Sequence, residues 1–255
     1  MGITFCKLFN KEKYININEN NCKISGDPNI DLDIALNSSN FTDWKKDIPK
    51  DWIVNGIHFQ SYDFFGKRIG FIKWITDVTI NGIKAPGIVF ARGGCVSILV
   101  VISVKGDEDN CKYTVLVKQA RVPISRVFTE VPAGMLDGEG DFSGVAAKEL
   151  GEEADIHINK DNLIDMTQLA YNDKYKGMYT MVGVSDEFIR QFVYFHEVTR
   201  EELNKMEGKC TGEIQAGEVI TLKICKLEDV WKETSDSKAL SSILLYEKLS
   251  EASLL

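Results

Sequence analysis

The chain has 255 residues, 44% hydrophobic and 27% charged, an ordinary globular profile with room for one large domain or two small ones. Its net charge of −8 argues against a nucleic-acid binder, which needs a basic patch. A nucleotide ligand stays open, because a bound cation reverses the sign of the local field. No apolar stretch is long enough to span a bilayer, and the first residues lack the basic-then-apolar pattern of a signal peptide. The cytoplasm is therefore the expected compartment, although Ser253-Leu254-Leu255 stands one residue away from a peroxisomal S-K-L ending. Cys6, Cys22, Cys95, Cys111, Cys210 and Cys225 are scattered, with no C-x-x-C and no ligand spacing to His58, His157 or His196. They read as free thiols and argue against zinc.

In chain order, the first fifty or so residues are rich in Asn, Asp, Lys and Ser. They predict a short strand or two, a small helix near Ile30 to Ser38 starting at Asp31, and a loop through Pro49. From His58 to Val78 the text turns aromatic and strand-like, with a hairpin at Gly66-Lys67 and a second turn at Asn81-Gly82. Pro86-Gly87 is the expected boundary, giving an N-terminal β-rich domain over 1–86 and a second domain over 87–255. The second domain opens with Ile88 to Arg92. Strands are predicted at Val96 to Val104, Tyr113 to Gln119, Arg126 to Val131, Leu163 to Ala170, Phe192 to Val198 and Val219 to Cys225. Helices are predicted at Phe142 to Ala154, Leu227 to Glu233 and Asp236 to Ser250. A mixed sheet between helices is the expected layering.

The densest chemistry lies in residues 134–156, GMLDGEGDFSGVAAKELGEEADI. Asp141 is a suitable N-cap, and Ala146, Leu150 and Ala154 give the helix a buried stripe. Glu149, Glu152 and Glu153 stand at i, i+3 and i+4 and so project from one face. Carboxylates packed that closely repel one another unless a cation sits among them. Hard divalent cations take oxygen ligands and share them with substrate phosphates, so the pattern points to a metal site for a phosphorylated substrate.

This stretch resembles the Nudix hydrolase signature, G-x5-E-x7-R-E-U-x-E-E-x-G-U, where U is a bulky aliphatic. Gly134, Glu149, Leu150, Glu152, Glu153 and Ile156 fall at matching positions without insertion. Gly140 stands where the first glutamate belongs, Lys148 replaces the arginine, and Asp155 replaces the last glycine. Glu139 and Asp141 flank Gly140, and either is a candidate to supply the missing carboxylate. Lys148 keeps the charge without the planar fork of arginine, and Asp155 tolerates the left-handed conformation expected just past the helix. The flanks KQARVPISRVFTEVPAGMLD, DFFGKRIGFIKW and GKCTGEIQAGEVITLKICKLEDVW are similar to those of ADP-sugar diphosphatases of the plant type, so the likeness runs over roughly residues 55 to 250.

The resemblance implies an α+β fold: an α/β/α Nudix sandwich with a mixed sheet, preceded by a small antiparallel β domain. It implies Mg²⁺, with Mn²⁺ as its alternative, held by the Ala133 carbonyl, Glu149, Glu152, Glu153 and Glu218. Glu152, Glu153 and Glu218 would be the catalytic carboxylates, Glu218 as ligand or base, with Glu213 competing for the same part. Arg121 would contact the diphosphate, and Phe64, Phe65 and Trp74 are the candidates to stack on the base. The implied activity is hydrolysis of a nucleoside diphosphate sugar, ADP-ribose or ADP-glucose, to a nucleoside monophosphate and a sugar phosphate, by a homodimer. The alternatives are a UDP-glucose diphosphatase, or a nucleotide-sugar-binding protein of impaired catalysis.

Overall fold

In the computed structural model, residues 12–136, 141–212 and 218–255 are described. Its internal contacts separate two units. The first runs to Gly93 and takes back Met181–Glu187; the second comprises Gly94–Thr180 and Phe188–Leu255.

The first unit carries β1 (Lys13–Ile17), β2 (Asn20–Gly26), α1 (Leu32–Leu36), α2 (Ser39–Lys46), β3 (Ile53–Phe65), β4 (Arg68–Ile80), β5 (Ile83–Ala85) and β6 (Ile88–Ala91). Asp31 caps α1 by accepting the Asp33 and Ile34 N–H groups. β3 and β4 form the long aromatic hairpin. β4 and β5 turn on Asn81 and Gly82, whose φ angles of 51° and 77° are the pair that a two-residue hairpin turn needs. The sheet is antiparallel except between β2 and β3, which run parallel because α1 and α2 supply a crossover between them.

Helix α2 falls where a loop was expected. Ser38 accepts the Phe41 N–H at its start, and Phe41 is buried against Phe59 and Trp74 in edge-to-face contacts. Ile88–Ala91 pairs with β4, so this strand joins the first sheet and does not open the second. Trp74 is 0% exposed at the centre of the aromatic cluster, which removes it as a stacking partner for a base. Phe65 lies edge-on to Phe71 at 4.9 Å between ring centres.

The second unit carries β7 (Gly94–Val104), β8 (Lys112–Arg121), β9 (Arg126–Glu130), β10 (Ala133–Met135), α3 (Phe142–Ala154), β11 (Ile164–Asp165), α4 (Met166–Tyr171), β12 (Met178–Tyr179), β13 (Phe188–Val198), α5 (Arg200–Met206), β14 (Cys210–Thr211), β15 (Ile220–Lys226), α6 (Val230–Glu233) and α7 (Ser237–Glu251). The strand order is β11-β13-β7-β8-β15-β14, with β10 added to β7, β12 to β13 and β9 to β8. β7 and β13 are parallel from Gly94↔Phe188 to Val104↔Val198, and the other pairs are antiparallel, so the sheet is mixed. β7 is buried on both faces. Val96, Ile98, Val100 and Ile102 pack with Val145, Ala146 and Leu150 of α3, whereas Leu99 and Val101 pack with Met166 of α4 and Ala239 and Leu249 of α7. A strand covered twice needs a nearly continuous apolar run, which CVSILVVISV supplies but for Ser97 and Ser103. Each such side chain contributes roughly 1.5–3 kcal/mol by leaving water.

On its side away from β13, β7 shares its edge between two partners. β8 pairs with it at Ile102 and Ser103, and β10 pairs with it at Cys95 to Ser97. The strand expected at Leu163 to Ala170 is a two-residue strand followed by α4, because Asp165 accepts the Gln168 N–H and starts a helix there. Helix α5, absent from the sequence reading, begins with a capping box in which Thr199 and Glu202 satisfy each other's backbone N–H. The first turn of the helix expected at Leu227 to Glu233 is a 3₁₀ turn, followed by α6.

Candidate active site

Helix α3 carries the acidic ridge and has the limits its caps dictate. Asp141 accepts the Gly144 N–H at 3.0 Å, and Asp155 closes the helix at φ 53°, ψ 36°, the left-handed conformation expected of it. Asp141 spends its other oxygen on Lys160 at 2.7 Å. Each of its oxygens thus has a partner, and in this structure Asp141 acts as the cap of α3. Gly140 and Glu139 lie outside the described residues, as does Glu213.

Two ridge carboxylates reach the Pro132-Ala133-Gly134 bend. Glu153 accepts the Ala133 N–H at 2.8 Å, with the Gln119 amide 3.4 Å from its other oxygen. Glu149 lies over Gly134 so closely that a Cβ there would stand 1.8 Å from its carboxyl carbon. Only glycine leaves room for that carboxylate, which explains the residue at the start of the motif. Glu152 is half-buried on the same helix, 3.5 Å from Lys148 one turn earlier. The backbone behind the ridge is tied down from β14: the Thr211 hydroxyl donates to the Glu153 carbonyl at 2.5 Å, and the Gly212 N–H donates to the Glu152 carbonyl at 3.1 Å.

Glu153 is 3% exposed. Burial pushes its carboxyl up to about 8, and the neighbouring charges of Glu149 and Glu218 push the same way, against the Ala133 N–H and Arg121. The same balance locates Glu218 and Arg121 around this carboxylate, although they stand 65 and 32 positions away in the chain. Among the described residues, no three acidic, imidazole or thiol groups are already drawn to metal-ligand spacing. What the geometry does supply is an oxygen-rich set, Glu149 and Glu153 meeting at one bend with Glu218 nearby, whose mutual repulsion a divalent cation would relieve. By donor type and by charge the residues fit Mg²⁺.

Arg121, at the end of β8, is held by Glu130 at the end of β9. Its Nε donates to one carboxylate oxygen at 2.5 Å and an Nη to the other at 3.0 Å. Burial works against the arginine's charge, but Glu130, Glu153 and Glu218 outweigh it and hold Arg121 above its ordinary value. Glu130 is 3% exposed and also accepts from Lys238 at 2.7 Å. Burial alone would raise its carboxyl; the two cations overcome that and hold it below the usual carboxylate range. Lys238 in turn reaches Asp236 at 3.0 Å, and Asp236 accepts the Val131 N–H and caps α7. Sequence reasoning missed Glu130, Lys238 and Asp236. The cue lay in the flanks, a buried acid before the Pro-Ala-Gly bend and a basic residue in a late helix start, but nothing in the sequence pairs positions 108 residues apart.

Phe64 belongs to the first unit, 49% exposed, with its ring edge-on to Tyr62 at 5.4 Å. In the segment Met181–Glu187 of the same unit, Asp186 accepts the Arg92 and Gly93 N–H groups and Glu187 pairs with the Arg92 guanidinium, so this acidic pair clamps the segment onto its own sheet.

Comparison with known proteins agrees with this geometry. A family model described as "NUDIX domain" matches residues 95–244. Nudix hydrolase 14, chloroplastic, of Arabidopsis thaliana is 36% identical over 236 residues, 88% of this chain and 74% of that protein. ADP-ribose pyrophosphatase of Bacillus subtilis (strain 168) is 29% identical over 195 residues, 74% of this chain and 90% of that protein. A solved structure described as "Crystal structure of ADP compounds hydrolase" superposes with a TM-score of 0.50 over 80% of this chain and 96% of the other, at 12% identity, a likeness of fold alone. No helix among the described residues is long and apolar enough to cross a membrane.

Proposed function

The chain belongs to the Nudix hydrolase family and is a pyrophosphatase, and from that premise we propose that it hydrolyses the diphosphate of a nucleoside diphosphate sugar, ADP-ribose or ADP-glucose, with Mg²⁺ as its metal. The observation that carries this reading is Glu153: a carboxylate 3% exposed, set at the Pro132-Ala133-Gly134 bend that Glu149 also reaches, with no full cation of its own inside hydrogen-bonding distance among the described residues. Such a group is stable as an anion only when a cation joins it. The name of the Bacillus relative supports an ADP compound as substrate.

The Ala133 carbonyl, Glu149, Glu152, Glu153 and Glu218 are the proposed holders of the metal. Bound there, Mg²⁺ would neutralise charge on the diphosphate and acidify the attacking water. The ridge is rigid because α3 is capped at both ends and packed on β7, so its carboxylates hold their places while substrate exchanges. Arg121 offers its remaining Nη to a phosphate oxygen, already oriented by Glu130. Glu218 is the proposed base that accepts the water's proton, with Glu152 and Glu153 assisting as catalytic carboxylates. The roles of Phe64 in stacking on the base, of Glu213 beside the substrate, and of the first unit in a homodimer are proposed on the family likeness.

The test is release of nucleoside monophosphate from ADP-ribose, ADP-glucose and UDP-glucose with Mg²⁺ present. Turnover of an ADP-sugar that Glu153→Gln abolishes and Glu139→Gln spares is the expected result. Turnover of UDP-glucose alone would reassign the base. Tight binding of every sugar without product would make the chain a binding protein and overturn the proposal.

A further inference from the structure

We propose that Lys238, at the start of α7, is a positioning residue for the diphosphate-binding arginine, acting through Glu130 and not through substrate. The inference rests on the reading of Arg121 given above. Four charges alternate along one line: Arg121, Glu130, Lys238 and Asp236. The contacts are bidentate between Arg121 and Glu130, 2.7 Å from Glu130 to Lys238 and 3.0 Å from Lys238 to Asp236. Glu130, Lys238 and Asp236 are nearly enclosed, with side-chain exposures of 4%, 15% and 4%, whereas the Arg121 side chain is 39% exposed. The line therefore has a buried end and an open end, and the open end is the guanidinium.

The number of cations on Glu130 decides what that guanidinium can do. A buried carboxylate with a single partner holds it as tightly as the local dielectric allows. With Lys238 on the same carboxylate, Glu130 divides its charge between two cations. Arg121 is then aimed by two hydrogen bonds, yet keeps unsatisfied positive charge and an unused Nη for a phosphate. Asp236 completes the balance on the far side and also takes the Val131 N–H, next to the Pro132-Ala133-Gly134 bend. One helix start thus fixes two parts of the site, the arginine and the bend. Lys238 itself is committed on both sides, to Glu130 and Asp236, which marks it as acting through its neighbours.

The experiment compares Lys238→Met, Lys238→Gln and Lys238→Arg in the full chain with Mg²⁺ and ADP-ribose, each also in an Arg121→Ala background, with the melting temperature recorded for every variant. Lys238→Met is expected to raise KM about tenfold, the scale of one lost charge-assisted hydrogen bond, with kcat within about twofold. Lys238→Gln, which still donates to Glu130, is expected to fall between Met and wild type and serves in place of Lys238→Met should that variant not fold. Lys238→Arg is expected to restore KM. In the Arg121→Ala background, the Lys238 changes are expected to add nothing. Fully additive effects, or a loss confined to kcat or to melting temperature, would overturn the role of Lys238. An Arg121→Ala enzyme with unchanged KM would instead sink the reading of Arg121 on which it rests.

Discussion

Two glutamates in the second unit, Glu130 and Glu153, are each 3% exposed and stand on either side of the same bend. Their ionisation differs in opposite senses: Glu130 is held below the ordinary carboxylate range and Glu153 is pushed up to about 8. Burial penalises both. The difference is the company they keep, since Glu130 touches Arg121 and Lys238, whereas Glu153 has a backbone N–H, the Gln119 amide, two acidic neighbours and, of the cations, only the field of Arg121 without a contact. A carboxylate that serves the fold brings its own cations. On the proposed function, Glu153 leaves that position to be filled by the metal, and the protein is less stable for it until the position is filled.

Exchanging either acid for its amide tests this contrast. Glu153→Gln should lower kcat by roughly a thousandfold. It should also stabilise the metal-free protein at alkaline pH. The carboxyl binds its proton more tightly in the folded chain, so its share of stability is complete below about 4.5 and is lost as pH rises toward about 8, by about 5 kcal/mol at most. In chelator, the melting temperature of wild type should therefore fall across that window while that of Glu153→Gln stays level; parallel curves would erase the distinction. Glu130→Gln should do the reverse, destabilising by about 3–5 kcal/mol at neutral pH because the nearly enclosed Lys238 and the part-exposed Arg121 lose the charge they share. Urea unfolding measures that loss, and an unchanged midpoint would show Glu130 to be dispensable.

A smaller effect is expected from Gly134→Ala. The added Cβ would stand 1.8 Å from the Glu149 carboxyl carbon and must displace it, so activity should drop roughly a hundredfold with folding preserved. Wild-type kinetics would mean that Glu149 has no required place beside Glu153. Smallest of all is Asp141→Ala, which removes the cap of α3 and should cost about 1 kcal/mol of stability with kcat within about twofold. A large loss of turnover there would return Asp141 to the chemistry.

Much of this layout is legible in the chain. The limits of α3 follow from Asp141 and Asp155, and β7 follows from an apolar run too long to be half-covered. Helix α2 was hidden because NSSNFTDWKK is polar apart from Phe41 and Trp44, whose value depends on the aromatic cluster they join. Ile88–Ala91 has the pattern of either sheet, and only pairing with β4 assigns it. In the site, the acidic ridge is readable from helical spacing, and the place of glycine in the motif becomes physical only when Glu149 is seen above it. The line from Arg121 to Asp236 was not readable at all, since neither periodicity nor motif spacing records which buried acid a distant lysine will meet.

The divided edge of β7 has a consequence for how this molecule can change. One prong of that fork, β10, presents the bend to the acidic ridge; the other, β8, carries Arg121 at its tip. Both branch from a strand sealed on its two faces, so the proposed site is anchored on a strand buried along nearly its whole length. Segments remote from the fork are then at liberty to diverge, and a new leaving group can be accommodated without re-engineering the phosphate end.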